Sequence, residues 1–221
     1  LCAIFIHMKR LFFLILGVLS MVVLSAQQVV TTEGTEYWLT FLNNAKWDPQ
    51  DDLNDGKKFE LELVVTARQA TQVRVELRGA VIATLNVPAG GTAEQSLVNW
   101  QKQIYLLESQ NANLYQGLRV YTEDKNTPFT CYTYTRTGDP GISLRDIAMV
   151  YPVDLLDKEY FIQTYPDDDY STQLAFVVTE DNTDVQVFPT YLTLQQTPLA
   201  WTNLRKGTAV LVASAPHQGT N

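Results

Sequence analysis

The chain has 221 residues, 16 basic and 24 acidic side chains, a net charge of −8 and 46% apolar residues. That composition argues against disorder, and Lys and Arg occur singly or in pairs rather than in a cluster, which argues against a phosphate-binding surface, so nucleic acid is not an expected partner. Of only two histidines and two cysteines, His7 and Cys2 lie at the extreme N-terminus, leaving His217 and Cys131; Ser-His-Asp and Cys-His catalysis, zinc sites and an internal disulfide cannot be assembled from these.

In chain order, Met8 is followed by Lys9 and Arg10, an apolar run from Leu11 to Leu24, and the small residues Ser25 and Ala26. This is the pattern of a signal peptide over residues 1–26 cleaved after Ala26, with residues 1–7 upstream of the true start at Met8. A mostly apolar run of 14 residues is shorter than the roughly 20 that a spanning helix needs, so the mature chain is expected to carry no membrane-spanning segment and to be secreted or held at the cell surface. Without Lys9 and Arg10 it has 14 basic against 24 acidic residues, a net charge of −10.

Beyond the leader one motif recurs three times. Val64-Val65-Thr66 precedes Thr71-x-Val73-x-Val75, Val120-Tyr121-Thr122 precedes Thr127-x-Phe129-x-Cys131, and Val177-Val178-Thr179 precedes Thr183-x-Val185-x-Val187. The first threonine recurs after 56 and then 57 residues, the second after 56 both times, which marks a repeated supersecondary unit and favours scaffold and binding roles over a single catalytic pocket. Each unit reads as strand, polar turn, strand, with alternate apolar residues on one face, and such turns are expected to close hairpins. Glu36-Tyr37-Trp38-Leu39 returns as Glu159-Tyr160-Phe161-Ile162 ahead of the first and third copies, so the larger period is the 113 residues between Thr66 and Thr179, about one sandwich domain. The expected fold is all-β, with tandem antiparallel β-sandwich-like repeats: a first sandwich over 27–141 and a second over 142–221, incomplete because the next unit would fall beyond Asn221.

Carboxylates are the remaining route to chemistry. Asp48, Asp51, Asp52 and Asp55 crowd one loop, and Asp167, Asp168 and Asp169 crowd the matching loop of the second repeat. A glycan hydrolase could use a carboxylate pair across a cleft, but acidic tips are ordinarily just solvated, and no enzyme is expected. Calcium suits such oxygen-rich loops better. The stretch from Asp51 imitates an EF-hand loop through Asp55, Gly56 and Glu62, yet Leu53 stands where a ligand is needed and Glu62 lies in a strand, so only an irregular calcium site remains open, with no cofactor as the default. Cys131 takes the place of Val75 and Val187 and reads as a small core residue. Trp38 and Phe161 recur at matching positions and read as core, whereas Trp47, Trp100 and Trp201 do not recur and are the candidates for contact with a partner.

The motifs Gly34-Thr35-Glu36-Tyr37-Trp38-Leu39-Thr40-Phe41, Leu61-x-Leu63-Val64-Val65-Thr66, Gly117-Leu118-Arg119-Val120-Tyr121-Thr122-x-Asp124, Tyr151-Pro152-Val153-x-x-Leu156-x-x-Glu159-Tyr160-Phe161 and Val177-Val178-Thr179-Glu180-Asp181-Asn182-Thr183 resemble the IgGFc-binding protein N-terminal domain family. The resemblance implies a secreted bacterial member cut short at Asn221. The family's namesake is a mucus protein that binds the Fc part of immunoglobulin G. An adhesin-like module for an extracellular protein, including immunoglobulin Fc, or for a glycan is therefore the leading expectation, through loops at one end of the sandwiches. A structural stalk of a larger surface protein is the alternative.

Overall fold

Alternation along Lys58–Ala67 sets the pattern for the molecule: Leu61, Leu63 and Val65 are fully buried while Glu60, Glu62 and Val64 between them remain partly exposed, the mark of a strand with one face on a core. The computed structural model describes residues 31–42, 58–104, 106, 112, 116–139, 142–163, 172–190, 193 and 199–214. The chain divides into two units, Leu1–Thr31 and Thr32–Asn221, and all the elements named below lie in the second. Residues 1–26, expected to be a signal peptide, are outside the described residues.

Strands β1 (Glu36–Leu39), β6 (Leu118–Thr122), β3 (Thr71–Leu77) and β4 (Ala80–Val87) form one antiparallel sheet in that spatial order. A second sheet has the order β5 (Gly91–Ser96), β2 (Lys58–Ala67), β7 (Phe129–Asp139) and β8 (Ile142–Val150). Tyr37, Val73, Val75, Leu85 and Val120 from the first sheet join Leu61, Leu63, Val65, Phe129 and Cys131 from the second in a single buried cluster, so the two sheets close face to face as a sandwich. The only α-helix among the described residues is one turn, α1 (Gln101–Ile104), whose Ile104 plugs the same core. The all-β, sandwich-like architecture expected from the sequence is the one observed, with antiparallel pairing throughout and no closed barrel among the described residues.

The repeated motif is not a hairpin, which corrects the sequence reading. β2 pairs with β5 and β7, never with β3, and β3 pairs with β4 and β6. Residues 67–70 therefore carry the chain from one sheet to the other, as residues 123–128 do between β6 and β7. Both geometries place alternate apolar residues on the core, so alternation alone could not tell them apart; what differs is whether the strands are neighbours or face each other across the core. A true hairpin joins β3 to β4 through Arg78 and Gly79, whose φ values of 55° and 79° fit a two-residue primed turn. The boundary expected at 141/142 falls between β7 and β8, which pair from Cys131↔Val150 to Asp139↔Ile142; β8 is thus a strand of the first sandwich's sheet.

The later part repeats half of this plan. β9 (Gln173–Val177) pairs with β12 (Ala209–Ala213), and β10 (Thr183–Val187) pairs with β11 (Leu199–Leu204), as β2 pairs with β5 and β3 with β4. Leu174 and Phe176 occupy the places of Leu61 and Leu63, and pack with Val187, Leu199, Trp201, Val210 and Val212 in a smaller core. The turn before β12 rests on the first sandwich: the Gly117 N–H donates to the Gly207 carbonyl at 3.1 Å, and Lys206 Nζ lies 3.3 Å from Glu36 Oε1 and 5.3 Å above the Trp38 ring. Leu106 packs on Ala209 and Leu211.

Candidate functional site

Because Leu61, Leu63, Val65, Phe129 and Cys131 point inward, the opposite face of the sheet β5-β2-β7-β8 is determined by register. Ser96, Glu62, Tyr134 and Ile147 form one cross-strand row, and Glu94, Val64, Tyr132 and Met149 the next. Directly opposed side chains on one face lie about 5 Å apart at Cβ, so two tyrosines, an isoleucine and a methionine make a continuous apolar and aromatic strip. Ile147 is 65% exposed and Met149 37%. Beside this strip, on β2 and β5, stand Glu60, Glu62 and Glu94. Burial, then the charges of Glu60 and Glu94, push the Glu62 carboxyl above its ordinary value, with Arg136 opposing; Arg136 Nη1 sits 3.5 Å from Glu60 Oε2. The face joins an apolar half to an acidic half, an arrangement suited to contact with a partner.

A second concavity lies where two sheet-to-sheet turns stack, a shallow cleft of about 260 Å³ lined by Thr71, Arg74, Thr122, Glu123, Asp124 and Thr127 among others. Its polar groups engage one another. Thr71 Oγ1 is 3.1 Å from Thr122 Oγ1 and 2.9 Å from Thr127 Oγ1, Thr127 Oγ1 donates to the Asp124 carbonyl, and Arg74 Nη1 meets Glu123 Oε1 at 2.7 Å. The recurring threonines are thereby explained as the fastening of the turns, and the third copy repeats it, with Thr183 Oγ1 donating to the Glu180 carbonyl at 2.8 Å.

Of the residues singled out in the sequence, Trp47 and the aspartates Asp48, Asp51, Asp52, Asp55, Asp167, Asp168 and Asp169 lie outside the described residues. Among the described residues no group of three or more His, Cys, Asp or Glu could hold a metal ion. Trp100 is half-buried against the first core, and Trp201 is half-buried in the second, edge-on to Phe176 with ring centroids 5.6 Å apart; the structure does not bring them together. Cys131 is fully buried, and burial pushes its thiol up to about 12. Phe161 contradicts its expected core role: it is 94% exposed, and its segment pairs with no strand among the described residues. Trp38 is half-buried on the outside of β1, under Lys206. Sequence reading missed Ile147 and Met149 because Ile147-Ala148-Met149-Val150 is apolar throughout and carries no period-two signal of which side faces outward.

Fold and surface together define an all-β sandwich-like protein with an uncovered apolar sheet face. Residues 146–215 match the family described as IgGFc binding protein, a span running from within β8 through β12. No curated protein and no solved structure matches the chain.

Proposed function

We propose that the protein is an extracellular binding module, adhesin-like, which takes a protein partner on the outer face of β7 and β8. One observation carries this reading: Ile147 and Met149, two of the eleven large hydrophobic side chains exposed among the described residues and both within the family-matched span, stand on this face in register with Tyr134 and Tyr132. Exposed apolar side chains grouped on a sheet face mark an interaction surface, whereas singly scattered ones are normal. The strip of Tyr132, Tyr134, Ile147 and Met149 suits a flat apolar patch, and Glu60, Glu62 and Glu94 alongside suit a basic rim on the partner. The family's description makes immunoglobulin Fc the first ligand to test, with mucin and matrix glycans beside it. Among the described residues no helix is long and apolar enough to cross a membrane.

The test is surface binding of the intact protein to Fc, mucin and glycans, with the double variant Ile147→Ser/Met149→Ser. At least one ligand is expected to bind saturably, and the variant to lose tenfold or more in affinity with an unchanged melting temperature. Undiminished binding by the variant, or no binding to any of the ligands, overturns the proposal.

A further inference from the structure

The two faces of the sheet β5-β2-β7-β8 differ in the width of their apolar surface. On the inner face one cross-strand row, Ala93, Val65, Cys131 and Val150, is apolar on all four strands and packs in the sandwich core. On the outer face the rows Ser96-Glu62-Tyr134-Ile147 and Glu94-Val64-Tyr132-Met149 place aromatic and apolar side chains on β7 and β8, and Val64 alone continues them onto β2. A face apolar across every strand suits a second sheet, whereas a strip about two strands wide, with about 4.8 Å between strands, suits a single helix of about 10–12 Å diameter. Along β7, Tyr132 and Tyr134 are two residues apart, about 6.7 Å, close to the rise of about 6 Å between residues i and i+4 of a helix. Charge is as one-sided as apolar surface. Glu60 is met by Arg136, but at Glu62 burial and the charges of Glu60 and Glu94 outweigh the one guanidinium of Arg136, and its carboxyl is raised. Glu94 is exposed and lies diagonally from Glu62, since Ser96 opposes Glu62 and Glu94 opposes Val64.

We infer that the partner docks a basic amphipathic helix on this face, with its apolar stripe along Tyr132, Tyr134, Ile147 and Met149 and an Arg- or Lys-bearing flank over Glu62 and Glu94. The inference rests on the binding face proposed above and specifies the chemistry of its occupant. With the helix axis over β7 and β8, its flank falls on β2, one strand spacing from the tyrosines. Arg and Lys suit that place, because their aliphatic stems cover Val64 and the rim of Tyr134 while their charged heads meet the carboxylates. Apolar contact supplies affinity, and the acidic pair selects which helix binds and fixes which of its flanks faces β2. A second copy of the chain is disfavoured as the occupant, since each copy has a net charge of −8 and the two repel.

The experiment titrates the full chain with two helical peptides of about 18 residues, roughly 27 Å long, identical in a Leu and Phe stripe and carrying either Arg or Gln along one flank, with binding read by anisotropy. The Arg peptide is expected to bind saturably, one to one, and the Gln peptide about tenfold or more weakly. Glu62→Gln/Glu94→Gln should abolish that preference, while Glu123→Gln/Glu180→Gln, which removes the same charge elsewhere on the surface, should keep it. Ile147→Ser/Met149→Ser should weaken both peptides. An Arg peptide that does not bind, a preference that survives Glu62→Gln/Glu94→Gln, or one that falls equally with the control pair overturns the inference; the face itself still stands if Ile147→Ser/Met149→Ser weakens both peptides. Binding of both peptides that is insensitive to Ile147→Ser/Met149→Ser overturns the face and the inference together. Self-association of the chain in sedimentation, lost in Ile147→Ser/Met149→Ser, assigns the face to a second copy and also overturns the inference.

Discussion

Glu36 shows how one side chain serves several neighbours. Burial raises its carboxyl, but the hydrogen bonds from Arg119 and Trp38 and the charges of Arg119 and Lys206 outweigh this and hold it at about 2. Arg119 grips it with both Nε and Nη2 at 3.0 Å. A carboxyl whose folded pKa lies below its unfolded value of 4.5 contributes stability that is complete above that value and is lost as pH falls toward 2. Thermal melts of the wild type and Glu36→Gln between pH 7 and pH 2.5 test this. The wild type should lose the larger part of its advantage below pH 4.5, so that the two melting temperatures converge; a constant difference across the range would refute it.

Among the elements, the β3–β4 hairpin depends on its turn. Gly79 has a φ of +79° with nothing near the position of an added Cβ, so a substitution there meets backbone strain alone. Gly79→Ala should cost about 1 kcal/mol and Gly79→Val about 2 kcal/mol, measured by urea unfolding; equal stability of all three would show that the turn relaxes. The sheet-to-sheet turns are different, since they rely on threonine hydroxyls and on positions in the core. Asn182, at φ 60°, lies in the third of them, which is one residue shorter than the second between its threonines, and a left-handed residue suits the tighter path.

At the scale of the whole molecule, apolar burial outweighs the ion pairs that bridge the two halves. Gly207, with a φ of +83°, lies so close to Trp38 that an added Cβ would sit 3.3 Å from the ring, yet the Lys206 side chain above it is 40% exposed and its pairing with Glu36 is screened by solvent. Lys206→Ala should therefore cost no more than about 1 kcal/mol, whereas Leu63→Ala, inside the first core, should cost about 2–5 kcal/mol. Chemical denaturation of both variants checks the ranking, and a reversed order would mean that electrostatics dominate.

Alternation in Leu61-x-Leu63-x-Val65 and Val73-x-Val75, and the equivalence of Cys131 to Val75, were sufficient in sequence to reveal an all-β chain, its repeat and much of its core. They were sufficient because the direction of a side chain in a strand follows from local backbone geometry with a period of two. Which strand lies beside which depends on contacts between residues distant in sequence, and only tertiary structure decided those. Hence the turns thought to close hairpins cross between sheets, Tyr37 is buried while its repeat partner Tyr160 is exposed, and Ile147 and Met149 emerge on an uncovered face. Identical local patterns met different neighbours, and burial follows the neighbours.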